Sequence, residues 1–140
     1  MARYLSPFVY RFLPSLLCAT GYLVGANIEH WLGKGSAALL VGAAGNLHHV
    51  ILLPGDNDDA THEAQLEWAK SIGGDLPNRI EQAMLWANHR DQFKKDWYWS
   101  NETHHTDSGW AWCQVFSNGI QYDSNRNYEL RARVVRRLPI

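Results

Sequence analysis

Apolar and polar positions change period three times along the chain. Residues 1 to 33 keep no period, and Pro7, Pro14, Gly21, Gly25 and Gly33 punctuate them, which favours short strands or an irregular arm over a long helix. Ala37-Ala38-Leu39-Leu40-Val41 and Val50-Ile51-Leu52-Leu53 are apolar runs of strand length. Gly42, Gly45 and Asn46 lie between them, so a β-hairpin is expected. Pro54-Gly55 ends the second run, and Asp56-Asn57-Asp58-Asp59 reads as an acidic loop leading into a helix.

Helical spacing follows. A first helix is expected from Thr61 to about Ile72, capped by Thr61 or Asp59, with Glu63 at the positive end of its dipole. Ala64, Trp68 and Ile72 recur every four residues and form its expected buried face, while Leu66 falls opposite. Gly73-Gly74 stops this helix, because glycine accepts the left-handed conformation. A second helix starts after Pro77. Asn78 and Glu81 have capping-box spacing, and Ile80, Ala83, Met84 and Ala87 form the expected buried stripe.

The remainder alternates as β. Trp97-Tyr98-Trp99 is a short strand and Asn101 to Gly109 a polar loop. Trp110 to Phe116 is a strand with Trp110, Trp112, Gln114 and Phe116 on one face. Asn118-Gly119 is the dipeptide of a tight hairpin turn, and Ile120-Gln121-Tyr122 returns from it. Asp123 to Tyr128 reads as a second polar loop. Leu130 to Leu138 is the last strand, with Arg131 and Arg133 alternating against Leu130, Ala132 and Val134.

One domain with a real core fits 140 residues of which 46% are hydrophobic. The formal net charge of -1 gives no whole-molecule attraction to nucleic acid or anionic membrane, so nucleic acid is not an expected partner. Seven Trp, six Tyr and four Phe supply both core area and contact surface. Phe12 to Ala26 is mostly apolar and follows Arg3 and Arg11, as in a secretory signal, which leaves export open. Pro14 and Gly21 interrupt it, and it falls short of the ~20 apolar residues of a membrane span. The preferred reading of residues 1 to 33 is an arm that packs on its own body or joins a neighbouring subunit.

Several stretches together resemble one family. They are His48-His49-Val50-Ile51-Leu52-Leu53-Pro54-Gly55, Trp68 to Arg79 with its Gly73-Gly74-Asp75-Leu76-Pro77 joint, Trp97-Tyr98-Trp99-Ser100, Phe116-Ser117-Asn118-Gly119 and the arginine-rich strand. From about Leu47 to Leu138 the chain resembles the Lcl C-terminal domain family, formerly a domain of unknown function. The resemblance implies an α+β, C-type-lectin-like fold over residues 34 to 140. Two helices would pack beside a small twisted antiparallel sheet, with the arm and hairpin added. Members are common in phages and prophages. That implies a phage virion or the bacterial cytoplasm as the place of action.

Candidate chemistry is sparse. Cys18 and Cys113 are too few and too distant for a disulfide framework, and Cys113 between Trp112 and Gln114 reads as a core thiol. No nucleophile elbow, HExxH or phosphate-binding glycine loop occurs, so no enzymatic activity and no cofactor is expected. The pairs His48-His49 and His104-His105 would point to opposite faces of a strand. No metal set is expected from them, although His62 or His89 could approach one in space. Asp56 to Asp59 lacks the glycine and distal glutamate of an EF loop. The arginines at 131, 133, 136 and 137 suit either an anionic partner or packing over aromatic rings with carboxylate pairing, and the second is favoured. The binding candidate is the late polar segment: Asn118, Gln121, Tyr122, Asp123, Ser124, Asn125, Arg126, Asn127 and Tyr128, a paratope-like mixture of rigid aromatics and adaptable polar groups. The expected function is a non-enzymatic module that recognises a bacterial surface carbohydrate or protein as a tail or virion component, multivalent through a homo-oligomer or virion neighbours held by residues 1 to 33. The alternatives are a decoration or cement protein of a virion and a small intracellular inhibitor of a host defence enzyme.

Overall fold

The computed structural model describes residues 37–43 and 46–139. The expected arm, residues 1 to 33, lies outside the described residues, as does Cys18. The protein is α+β, with strands β1 (Ala37–Ala43), β2 (Asn46–Leu52) and β3 (Asn57–Ala60), helices α1 (His62–Ser71) and α2 (Arg79–His89), and a 3-10 turn at Arg90–Gln92. Strands β4 (Trp97–Thr103), β5 (Trp110–Val115), β6 (Gln121–Asn125), β7 (Leu130–Ala132) and β8 (Val135–Pro139) follow. No helix among the described residues is long and apolar enough to cross a membrane.

The chain divides into two compact units. The first holds the sheet β1-β2-β8, in which the expected hairpin forms with Ala37 opposite Leu52 and Ala43 opposite Asn46. The second comprises residues 54–135, with a five-stranded sheet in the order β3-β7-β4-β5-β6. That sheet is mixed rather than antiparallel throughout, because β7 runs parallel to β4 at Tyr98 and Arg131. The expected final strand is two strands. Residues 133 and 134 separate β7 from β8, and the two halves join different sheets. The expected acidic loop is largely β3, pairing with β7 through Asn57 and Ala132.

Both helices begin, and α1 ends, for reasons legible in the sequence. Thr61 caps α1 through its hydroxyl, which accepts from the Ala64 N–H. Asn78 and Glu81 form the reciprocal capping box of α2, each bond 2.8 Å long. Gly73, at φ 82°, turns the chain out of α1 while its N–H bonds the Lys70 carbonyl. The joint is then tied down by two backbone bonds between Asp75 and Val135, at 2.9 and 2.8 Å.

The buried faces of the helices are the opposite of those the apolar spacing predicts. In α1 the buried residues are His62, Gln65 and Ala69, whereas Ala64 and Ile72 are exposed and Trp68 is half-buried. In α2 they are Glu81, Gln82, Leu85 and His89, whereas Ile80, Ala83 and Ala87 are exposed and Met84 is half-buried. The cause is the sheet beneath. From Trp99 to Thr103 strand β4 advances four residues while β5 advances two, from Cys113 to Ala111, so backbone groups there lose their regular partners. Helix side chains bond buried carbonyls of this sheet. Within the irregular stretch His62 Nε2 reaches the Ser100 carbonyl at 2.8 Å, and just before it Gln82 Nε2 donates to the Tyr98 carbonyl at 3.1 Å. Gln65 Nε2 donates to the carbonyls of Asp58 and Leu130, joining β3 to β7. Satisfying buried backbone acceptors outweighs burying alanines, because an orphaned buried polar group costs about 1–3 kcal/mol.

Strand register assigns the helices to opposite faces of the sheet. Trp99, Cys113 and Tyr122 are paired neighbours and share one face, where the His62 ring meets the Trp99 ring edge-on at 5.1 Å. Tyr98, Gln114 and Gln121 share the other, where Gln114 Nε2 donates to the Gln82 carbonyl. The arginines of β7 and its exit are structural. Arg131 bonds the carboxylates of Asp58 (3.0 Å), Asp96 (3.2 Å) and Asp56 (3.3 Å), and Asp56 also accepts from the Tyr98 hydroxyl at 2.7 Å. Arg133 is buried, its guanidinium 5.3 Å from the Phe93 ring centroid.

Candidate functional site

On the α1 face of the five-stranded sheet, beyond Trp99, lies a depression of about 280 Å³ lined by Trp97, Cys113, Tyr122, Asp123, Ser124 and Leu130. The β4–β5–β6 register positions it. Trp97 precedes buried Trp99 by two residues and therefore shares its face. Cys113 faces Tyr122 across the strand pair, and Ser124 follows on the same side. Trp97 and Tyr122 meet edge to face, with centroids 6.3 Å apart and planes at 86°. Tyr122 is 60% exposed, so one wall is an accessible aromatic ring. The volume falls just below the ~300 Å³ at which ligand clefts begin.

Cys113 forms part of the floor. Its thiol is buried and donates to the Tyr122 carbonyl at 3.3 Å. Burial, reinforced by the nearby Asp123 carboxylate, pushes its pKa up to about 12, so it stays protonated at neutral pH and is a packing atom rather than a nucleophile.

The late polar segment is not one loop. Half of it is β6, where Asp123, Ser124 and Asn125 pair with Trp112, Ala111 and Trp110. Alternation then divides the candidates. Tyr122 and Ser124 face the depression, which Asp123 also lines. Gln121 turns inward on the other face. Its Nε2 donates to the Arg79 carbonyl and to Gln114 Oε1. Asn118 holds the β5–β6 turn by accepting from the Ile120 N–H. Asn125 caps the next turn by accepting from the Asn127 N–H, and Arg126 is committed to His62 Nδ1 and the Ser108 carbonyl. Asn127 and Tyr128 are exposed at that turn, Tyr128 by 63%. Trp97 was not among the sequence candidates. The Trp-x-Trp alternation at 97–99 held the signal, since one tryptophan buried at the sheet centre leaves its twin toward the strand end.

The histidines are dispersed. His49 is buried and His48 half-exposed, as opposite faces of β2 require. His104 and His105 stack on each other at 4.7 Å because they lie beyond the end of β4, and His104 approaches Asp123 at 4.0 Å. No group of three or more His, Cys, Asp or Glu among the described residues is arranged to hold a metal ion.

His62 is fully buried and locked at both nitrogens. Arg126 Nε donates to Nδ1 at 3.1 Å, so Nε2 carries the proton and donates to the Ser100 carbonyl. Burial, with the Arg126 charge adding, lowers its pKa below 6.5, while the Ser100 bond and Glu63 oppose. Between the lowered value and 6.5 the unfolded chain binds a proton that the folded chain refuses. Stability is therefore complete above pH 6.5 and falls as the pH drops below it. His49, lowered by burial and by His48, acts in the same direction. The thermal midpoint is expected to drop between about pH 7 and about pH 5, with a shallower drop in His62→Gln. Equal pH profiles for parent and variant would remove His62 from this role.

No family model matches the sequence, and no curated protein matches it.

Proposed function

We propose that the protein is a non-enzymatic binding module that recognises a bacterial surface carbohydrate through the Trp97–Tyr122 depression, as part of a phage tail or virion. The observation that carries this reading is an exposed tyrosine ring set edge-on to a second aromatic ring above a small recess, with Ser124 on the same face of β6. Aromatic faces pack against the C–H faces of a sugar ring, and neighbouring oxygens accept from its hydroxyls. The recess suits a single ring better than an extended chain, so each site binds weakly and useful avidity depends on several copies.

A C-type-lectin-like framework belongs to the same proposal. It is supported by the two capped helices, by the tied Gly73-Gly74-Asp75-Leu76-Pro77 joint and by the late β5–β6 hairpin. The inward commitment of Arg131 and Arg133 favours a neutral glycan over an anionic one.

Glycan-array and whole-cell binding test the reading. Tyr122→Ala and Trp97→Ala should each weaken binding roughly ten-fold or more, the scale of losing an aromatic anchor worth about 2 kcal/mol, with the circular dichroism spectrum retained. Asn118→Ala, in the β5–β6 turn and outside the lining of the depression, should bind as the parent does. Unchanged binding in both aromatic variants would remove the depression as the site.

A further inference from the structure

Helix α2 carries an apolar stripe that the fold leaves outward. Ile80, Ala83, Met84 and Ala87 recur at helical spacing and line an open groove of about 610 Å³, with Arg79, Glu102 and Gln121 on its rim. Ile80 is 64% exposed. The helix meets its own sheet with the opposite face, through Glu81, Gln82, Leu85 and His89, so packing among the described residues does not account for the stripe. An outward stripe rimmed by polar residues is the mark of an interface.

We propose that this stripe is a homodimer interface, in which α2 packs antiparallel against α2 of a second copy of the chain. The order of side-chain sizes is self-complementary only in that direction. With the two-fold axis between Ala83 and Met84, Ile80 meets Ala87 of the partner subunit, and Met84 meets Ala83 of the partner subunit. Each bulky residue thus enters the gap over a small one. Parallel pairing in register would place Ile80 against its own copy and leave the alanines facing across a void.

Charge agrees. The N-terminal end of α2 carries Arg79, whose guanidinium is held 3.6 Å above the Trp112 ring and donates Nε to Gln121. Its two Nη groups make no hydrogen bond to any described residue. Just past the C-terminal end of α2 is exposed Asp91. Antiparallel pairing brings each Arg79 toward the negative end of the partner helix and toward its Asp91. An 11-residue helix is about 16 Å long, and one face of it covers less than the ~800 Å² per partner of a standard interface, so the dimer is weak, with Kd on the order of tens of micromolar. The dimer stands independently of the carbohydrate reading, and it would double the sites that one particle component presents.

Sedimentation velocity on the full chain tests it, from about 1 to about 500 µM, a range that brackets the expected Kd. A reversible monomer–dimer equilibrium is expected. Ile80→Glu and Ala83→Glu, both at exposed positions, should each raise Kd at least ten-fold while leaving the circular dichroism spectrum and thermal midpoint near the parent's. Asp91→Lys should raise Kd a few-fold and remove the salt dependence. A monomer at every concentration overturns the proposal. So does a dimer that Ile80→Glu and Ala83→Glu leave intact, which would assign association to another segment such as residues 1 to 33. A dimer sensitive to those two but not to Asp91→Lys overturns the antiparallel arrangement.

Discussion

Replacing Trp99 with alanine should cost about 3–5 kcal/mol, the range for deleting a buried aromatic side chain. Trp99 has no exposed surface and is the largest fully buried side chain among the described residues. Its ring meets His62 edge-on, and its indole N–H donates to the Ala60 carbonyl at 3.2 Å, joining the middle of the sheet to the residue before the α1 cap. The substitution therefore opens a cavity and strands an acceptor together. Against a typical net stability of about 5–15 kcal/mol, that loss is a large fraction. Trp99→Phe separates the two effects, since it keeps most of the volume and removes only the donor, and about 1–2 kcal/mol is expected. Urea denaturation of parent and both variants measures the series. An unchanged midpoint in Trp99→Ala would mean that the sheet centre is packed by other residues.

Gly119→Ala is expected to be nearly as damaging, although it adds one methyl group. Gly119 has φ 82°, and the left-handed region costs any side-chain-bearing residue about 1–2 kcal/mol. A methyl there would also lie 2.7 to 2.9 Å from three carbons of the Trp86 ring, which must move or strain. Overpacking of that kind adds about 1–3 kcal/mol. The β5–β6 hairpin turn and α2 are pressed together at this point, so the variant should loosen both. Ser117→Ala, in the same turn but exposed, is the control and should stay within about 0.5 kcal/mol of the parent. If the two variants unfold at the same denaturant concentration, the close approach of Gly119 to Trp86 is not a feature of the folded protein.

Those two positions were unequal in the sequence. The Asn118-Gly119 turn could be read from the dipeptide alone, as could the capping box at Asn78 and Glu81 and the glycine stop at Gly73, because each is local chemistry within four residues. The helix faces could not. Periodicity pointed to Ile80, Ala83, Met84 and Ala87 as core because nothing within α2 reveals that the Tyr98 carbonyl needs the Gln82 amide. Strand β4, which presents that carbonyl, lies 16 residues later and is positioned by its pairing with β5. The candidate depression is legible in part for a related reason. Composition singles out Tyr122 and Ser124, which line it, but β6 extends to Asn125, so alternation sends Gln121 to the opposite face. Trp97 was hidden by its resemblance to an ordinary strand residue. Arg131 pairs with carboxylates, as the alternation of the arginine strand suggests, whereas the division of that strand between two sheets has no local signal.

The pairing of β3 with β7 has one more consequence. Asn57 lies three residues after Pro54, and Ala132 three before Val135, and those two residues face each other across adjacent strands. The entry and exit of the 54–135 unit are thereby held side by side. Such a unit meets the geometric condition for a cassette: it can be inserted into a surface turn of a host protein without long linkers, and little chain entropy is lost in closing the junction.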